Sequence, residues 1–296
     1  MSQVSSNERS EQVRERYGKI AESVLTNAND GDRTWPTFPD LMASGDIITL
    51  QTPSSCCCND PAPNTATMLY DEDALAGLPA EAAAASLGCG NPTAIAALQP
   101  GQTVLDLGSG GGIDCFLAAR QVGPTGEVIG LDMTEAMLAL AERNKAALGE
   151  AAANVRFVHG QIEAIPLSST SVDVIISNCV INLSADKDAV FREAWRVLRP
   201  SGYLAVSDTV ALQPFTEEMQ RDAELWSACA AGSLDVATYR AKLHAAGFAR
   251  VEIDGVTPTD FGISDGVEDG AAALADRLAG GLKSWIASAK ILAYKS

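Results

Sequence analysis

Between Thr103 and Thr209 the chain alternates short apolar runs with stretches whose apolar residues recur every three or four positions. Thr103–Leu107 reads as a buried strand and Gly112–Val122 as a helix. A strand at Glu127–Leu131 follows, then a helix from Thr134 to Leu148, then strands at Val155–His159 and Val172–Ser177. From Lys187 to Leu198 the residues Val190, Phe191, Ala194, Trp195 and Leu198 fall on one helical face, and Tyr203–Thr209 reads as a fifth strand. This alternation predicts an α/β fold, a mostly parallel sheet with helices on both faces. Right-handed crossovers then bring the loops after the first four strands to one edge, where ligands bind in such sheets.

The flanks are patterned differently. Val13, Tyr17, Ile20 and Val24 recur at helical spacing between Gln12 and Leu25, predicting an amphipathic helix that caps something. Residues 26–66 carry turn formers and the prolines Pro36, Pro39, Pro53, Pro61 and Pro63, with Cys56, Cys57 and Cys58 among them. Long irregular segments of this kind are lids or disordered. After Val210 the pattern gives helices at Thr216–Ala231 and Val236–Ala246, then strands at Ala249–Gly255 and Ser284–Tyr294. Residues 262–282, rich in Gly, Ala and Asp, read as a surface excursion. The expected organisation is an N-terminal helix and Cys-rich loop (1–66), a Rossmann-like ligand-binding domain (67–210) and a smaller C-terminal α+β part (211–296) that contacts substrate.

Composition narrows the function. A hydrophobic content of 47% is enough for a packed core, and no apolar run reaches the ~18 residues of a membrane span. The polar N-terminus lacks the apolar stretch of a secretory signal, so a cytoplasmic location is expected, with the seven cysteines mostly reduced. A net charge of -17 excludes a broad nucleic-acid face. The two histidines, His159 at a strand end and His244 on a helix, read as structural.

Val104-Leu105-Asp106-Leu107-Gly108-Ser109-Gly110-Gly111-Gly112 falls at a strand-to-helix turn, where glycines let backbone approach a ligand closely. The acid Asp106 in this turn repels a pyrophosphate but suits a cationic amino-acid group, which turns the motif away from dinucleotides. At the end of the second strand Asp132 is placed to hold ribose hydroxyls, with Met133 against an adenine face. Gly160-Gln161-Ile162-Glu163, after the third strand, is placed to hold the adenine edge.

In this order along the strand ends, the motifs resemble those of class I S-adenosylmethionine-dependent methyltransferases over about residues 92–210. That likeness implies a seven-stranded sheet with an antiparallel last strand. A closer resemblance, from Arg16-Tyr17-Gly18-Lys19-Ile20-Ala21 to Ser288-Ala289-Lys290-Ile291-Leu292-Ala293, is to the arsenite methyltransferases. Its most specific stretches are Leu87-Gly88-Cys89-Gly90-Asn91-Pro92, Leu105–Cys115 and Ser177-Asn178-Cys179-Val180-Ile181-Asn182-Leu183-Ser184-Ala185-Asp186-Lys187. The resemblance implies S-adenosyl-L-methionine as cofactor, held by Asp106, Gly108, Ser109, Gly110, Asp132, Met133, Gln161, Ile162, Glu163 and Asn178. It implies arsenite and methylarsenite as substrates. It further implies that Cys89, Cys179 and Cys229 bind arsenic(III), while one of Cys56, Cys57 and Cys58, with Cys58 placed first, serves a disulfide relay reset by thioredoxin or glutathione.

The chemistry is coherent with that set. Trivalent arsenic is soft and prefers thiolates, and its lone pair carries no proton, so no general base is needed. Cys115, among Phe116, Leu117 and Ala118, reads as core filler. Two other readings are distinguishable: a methyltransferase for a small organic acceptor, which turns over without thiols, and a thiol-rich metalloid-binding protein, which leaves the cofactor's methyl group in place.

Overall fold

The computed structural model describes residues 6–27, 70, 72–85, 90–259, 278 and 281–296. Cys56, Cys57, Cys58 and Cys89, and most of the 262–282 excursion, lie outside the described residues. Among those described, helix α1 (Ser6–Asn27) leads, followed by the short helices α2 (Glu72–Leu75), α3 (Ala80–Ala84) and α4 (Pro92–Ala96). The alternating core is β1 (Thr103–Leu107), α5 (Ile113–Val122), β2 (Glu127–Asp132), α6 (Glu135–Leu148), β3 (Val155–His159), β4 (Val172–Asn178), α7 (Lys187–Val197) and β5 (Leu198–Ala211). The chain closes with α8 (Glu217–Arg221), α9 (Ala223–Ser227), α10 (Val236–Ala246), β6 (Arg250–Pro258) and β7 (Ile286–Tyr294).

The strands form one seven-stranded sheet in the order β3-β2-β1-β4-β5-β7-β6. β1 pairs in parallel with β2 and β4, β2 with β3, and β4 with β5, whereas β7 runs antiparallel to β5 and β6. The sheet is thus mostly parallel with an antiparallel final strand, as the resemblance implied. Because β1 is followed by β2 on one side and β4 starts the other half, strand order reverses between β1 and β4. The carboxyl ends of those two strands open the crevice where doubly wound sheets take ligands.

Each face of the sheet has its own apolar layer. One packs Phe191, Val190 and Ala194 of α7 and Tyr239 and Leu243 of α10 against Ile175, Leu204 and Ile291. The other packs Phe116, Ala119 and Val122 of α5 and Ala96 of α4 against Val104, Val128, Val174 and Ile176. Asp186 caps α7, its side chain accepting from Ala189 N at 2.9 Å, and directs the apolar face inward from the first turn.

The expected helix over Thr216–Ala231 is broken in two. Asp222 adopts extended geometry (ψ 119°) and its carboxylate accepts from Leu225 N at 3.0 Å, so the side chain that ends α8 starts α9. The C-terminal strands do not form a separate layer: β7 inserts between β5 and β6, and a division at 210/211 falls within β5. No helix among the described residues is long and apolar enough to cross a membrane.

Phe191 is fully buried, whereas Trp195 on the same helix is 36% exposed. Phe191→Ala should therefore cost about 3–5 kcal/mol, the range for emptying a core aromatic site. Trp195→Ala, whose ring Lys295 Nζ overlies at 3.8 Å, should cost clearly less. Urea denaturation of both variants checks the contrast, and equal losses would contradict it.

Candidate cofactor pocket and cysteine cluster

The switch-point crevice is a cavity lined by the loops after β1, β2, β3 and β4 and roofed by α1. After β1 the chain turns through Gly108 (φ 72°), whose absent Cβ would fall 2.4 Å from Val180 Cγ2, so a side chain there would collide with the loop after β4. The amides of Gly108 and Ser109 donate to Leu131 O at 2.7 and 3.0 Å, and buried Asn144 of α6 donates to Gly111 O at 2.9 Å. The glycine loop is thus fixed before any ligand arrives. Gly110 (φ 51°) faces open space where a Cβ would stand. Ser109 Oγ is buried without a hydrogen-bond partner.

The polar groups of the cavity follow the strand order. Asp132, at the end of β2, accepts from Gly110 N (3.0 Å) and Thr134 N (2.8 Å) through its two oxygens. Met133 lies beside it, and Ile162 and Glu163 line the wall after β3. Glu163 accepts a short hydrogen bond from Ser184 Oγ. On the β1–β4 side stand Asp114, in the first turn of α5, and Asn178. The lining thus carries three carboxylates, and among the described residues no Lys, Arg or His joins them. Such a cavity suits a cationic ligand and opposes a phosphate.

Two expected cofactor residues stand apart from it. Asp106 is 2% exposed, lies behind the glycine loop and accepts from Cys115 Sγ at 3.3 Å; it does not line the cavity. Burial, then the nearby Asp114 carboxylate, drives its pKa well up. Gln161 is exposed, forms an isolated bridge with Ala164 and does not line the cavity. Residues outside the expected set enter instead: Ser10, Val13 and Tyr17 from α1, Thr134, Ser184 and Asp114. The apolar stripe over Gln12–Leu25 announced a capping helix but not its target. Asp114 stands two residues beyond the glycine motif, where its position at the start of α5 brings it to the cavity.

The cysteines converge in part. Cys179 lines the cavity directly after β4, and Cys229 lies behind it, its Sγ donating to Cys179 O at 2.9 Å. Both have left-handed backbone, with φ 58° and 56°, a conformation that costs a side-chain-bearing residue roughly 1–2 kcal/mol. A buried network holds it. Thr209 Oγ1 and Ser233 Oγ donate to Cys229 O at 2.6 and 2.7 Å, Cys179 N donates to Ser207 O at 2.8 Å, and Asn182 Nδ2 lies 2.7 Å from Asp208 Oδ1, Thr209 O and Thr209 Oγ1. With Val13, Leu183, Tyr17, Met133 and Trp226 the two cysteines form one small cluster. Cys229 is a free thiol, pushed up first by burial and then by the Asp208 carboxylate. Cys179 is disulfide-bonded. Cys89 lies outside the described residues, although the adjoining Gly90 accepts from Asn178 Nδ2 at 2.7 Å, one residue from Cys179. Cys115 is a fully buried free thiol in the core of α5, as expected.

This sheet order, with a glycine turn after β1, an acid after β2 and a carboxylate-lined crevice, is the architecture of the class I S-adenosylmethionine-dependent methyltransferases. The cavity fits that cofactor: an unpartnered buried hydroxyl at Ser109, a glycine floor, and carboxylates facing a ligand that carries ammonium and sulfonium charges. Residues 98–247 match the Methyltransferase domain family. An arsenite methyltransferase of Halobacterium salinarum is 45% identical over 244 residues, covering 82% of this chain and 58% of that protein. One from Aquipseudomonas alcaligenes is 41% identical over 199 residues, covering 66% and 54%. The crystal structure of an arsenic(III) S-adenosylmethionine methyltransferase from Chlamydomonas reinhardtii superposes with a TM-score of 0.59 at 33% identity, covering 75% of this chain and 71% of that one. The chain belongs to the arsenite methyltransferase family, and spans a little over half the length of the two curated relatives.

Behind the cysteines, burial raises the pKa of Asp208 to about 7. Its Oδ1 accepts from Thr209 N (3.0 Å) and Asn182 Nδ2, its Oδ2 from Tyr239 Oη (3.3 Å), and Lys187, lowered to about 8 chiefly by burial, partly offsets its charge. The folded state therefore favours the protonated acid. That contribution is full below the ordinary carboxylate range and is lost as pH rises towards 7. Asp208→Asn should flatten the fall in melting temperature between pH 4 and 7 relative to wild type; parallel curves would contradict the assignment.

Proposed function

We propose that the protein methylates trivalent arsenic, with S-adenosylmethionine as the methyl donor and protein thiolates holding the metalloid. The observation that carries this reading is the meeting of Cys179, on the wall of the cofactor cavity, with Cys229, brought to 2.9 Å of its carbonyl from a distant loop. Membership in the arsenite methyltransferase family supports it.

In this proposal Gly108, Ser109 and Gly110 floor the pocket, Asp132 holds the ribose hydroxyls, and Met133, Ile162 and Glu163 enclose the base. S-adenosylmethionine supplies, when bound, a sulfonium-linked methyl group whose transfer needs chiefly an aligned nucleophile. Cys89, Cys179 and Cys229 hold arsenic through three sulfurs. Each As–S bond forms as a thiol replaces a hydroxyl of arsenous acid, the thiol proton leaving in water. The lone pair opposite the sulfurs is then free to attack. Tyr17, from α1, hydrogen-bonds Cys229 and lines the cavity, so the roof helix reaches both ligand sets.

Methyl transfer raises arsenic from the trivalent to the pentavalent state. Two protein sulfurs return it to the trivalent state by leaving as a disulfide, which gives arsenic the two electrons. Two external thiols must then reduce that disulfide before arsenic enters again; thioredoxin or glutathione would supply them, in a reducing compartment such as the cytoplasm. One of Cys56, Cys57 and Cys58, Cys58 first, would relay the disulfide away from the site.

Incubation of reduced protein with arsenite, labelled cofactor and thiol, followed by arsenic speciation, should yield methylated arsenicals. Turnover of an organic acceptor without thiol, or arsenic binding without loss of the cofactor's methyl group, would contradict the proposal. Cys229→Ser and Cys179→Ser should each cut arsenite methylation by more than the roughly 10–100-fold that loss of an outer-shell partner costs a metal site. Binding of S-adenosylhomocysteine, followed by calorimetry, should stay at the wild-type level in both.

A further inference from the structure

We propose that strand β5 is the scaffold of the arsenic site, and that Thr209, buried on it, is the positioning residue for the Cys229 sulfur. The inference rests on Cys229 being an arsenic ligand, as proposed above, and names what keeps it in reach.

The edge of β5 carries it. β4 stops at Asn178, opposite Ser207, and leaves the neighbouring edge of β5 to another segment from Asp208 to Ala211. The stretch from Cys229 to Leu234 takes that edge. Thr209 Oγ1 donates to Cys229 O at 2.6 Å, Val210 bridges Leu234 in parallel, and Ala211 N donates to Leu234 O at 3.0 Å. Just before it, Cys179 N donates to Ser207 O at 2.8 Å. The two cysteines are therefore docked at Ser207 and Thr209, positions about 6.6 Å apart along one strand. The segment next to Cys89 meets β5 at the same place, since a Cβ on Gly90 would overlap the Ser207 hydroxyl. Three distant stretches, each carrying or adjoining a proposed ligand, thus share two residues of one inner strand.

Thr209 is fully buried, and its hydroxyl is used twice. It accepts from Asn182 Nδ2 at 2.7 Å and donates its own proton to Cys229 O. Ser233 Oγ, 2.7 Å from the same carbonyl, is the second donor. These bonds hold Cys229 at φ 56°, a left-handed conformation that a residue with a side chain otherwise leaves. The direction of its Cα–Cβ bond follows from that backbone. The thiol's own hydrogen bond to Cys179 O cannot serve once arsenic is bound, because ligation removes the proton that makes it. From then on the backbone alone keeps this sulfur in reach, and Thr209 and Ser233 hold the backbone. Asn182 has other acceptors in Asp208 Oδ1 and Thr209 O, so removal of the hydroxyl does not leave its amide group unpaired.

The test is arsenite binding by the reduced full chain, followed by equilibrium dialysis. Thr209→Val keeps the shape of the side chain and removes the donor; Thr209→Ser keeps the donor and removes the methyl group. Thr209→Val should bind arsenite about 10–100-fold more weakly than wild type, the range for loss of an outer-shell partner of a metal ligand. Thr209→Ser should bind nearly as wild type does. Ser233→Ala, at a partly buried position, should show the loss in smaller degree. Calorimetric titration with S-adenosylhomocysteine should give wild-type affinity in all three, because neither residue lines the cavity. Wild-type arsenite affinity in Thr209→Val, or in Ser233→Ala should the former not fold, would overturn the inference. Equal losses in Thr209→Ser and Thr209→Val would also overturn it, by assigning the effect to core packing. A wild-type protein that binds S-adenosylhomocysteine but not arsenite would instead remove the thiolate reading on which the inference rests.

Discussion

Two cysteines held in left-handed backbone, carbonyl and thiol in contact, form the constraint around which the rest of the molecule is arranged. Cys179 makes the last ladder hydrogen bond of β4, its amide donating to Ser207 O of β5, and its left-handed φ then turns the chain away. Cys229 lies two residues past the end of α9, and Thr209 and Ser233 hold its carbonyl. Residues 50 positions apart thus meet at one point, at a conformational cost offset by hydrogen bonds made in the dry interior. Asn182 ties the arrangement to β5, and even Gly232 is fixed by it, since a Cβ there would stand 2.1 Å from Asn182 O.

The second constraint is electrostatic. Asp114, Asp132 and Glu163 face a cavity in which no described lining residue is basic. The fold hydrogen-bonds each one: Asp114 to Tyr70 and Asn178, Asp132 to Gly110 and Thr134, Glu163 to Ser184. Such preorganisation limits reorganisation on binding, and it selects a cation. The same charge pattern disfavours the pyrophosphate ligands that a glycine-rich turn otherwise invites. Helix α1 closes the cavity from above and packs on α6 through Ile20, Ala21 and Met137, while Arg16 donates to Ser227 Oγ at 2.6 Å beside the cysteine loop.

Strands and helices between Thr103 and Thr209 were legible because the apolar spacing of α7 and the buried runs of β1 and β4 are local signals. The break at Asp222 was not, since an Asp inside an apolar-periodic stretch announces a cap only when the chain turns there. Nor did spacing show that β7 lies between β5 and β6, which is a tertiary choice. In the site, Gly108, Ser109, Gly110, Asp132, Met133, Ile162, Glu163 and Asn178 lie on the cavity because the sequence marks strand ends well. Asp106 and Gln161 do not line the cavity for a reason sequence hides: a position one or two residues from a turn faces the ligand, the core, as Asp106 does, or solvent, as Gln161 does. Asp114 was concealed by the same ambiguity.

In the proposed function, sulfurs from distant loops hold one arsenic atom beside the cofactor crevice. X-ray absorption at the arsenic edge, on reduced protein loaded with one equivalent of arsenite, reads the atoms bound to it. A shell of three sulfurs and no oxygen is expected in the wild-type protein, with one sulfur replaced by oxygen when Cys229 is changed to Ser. A wild-type shell containing oxygen, or a spectrum unaltered by that substitution, would contradict it.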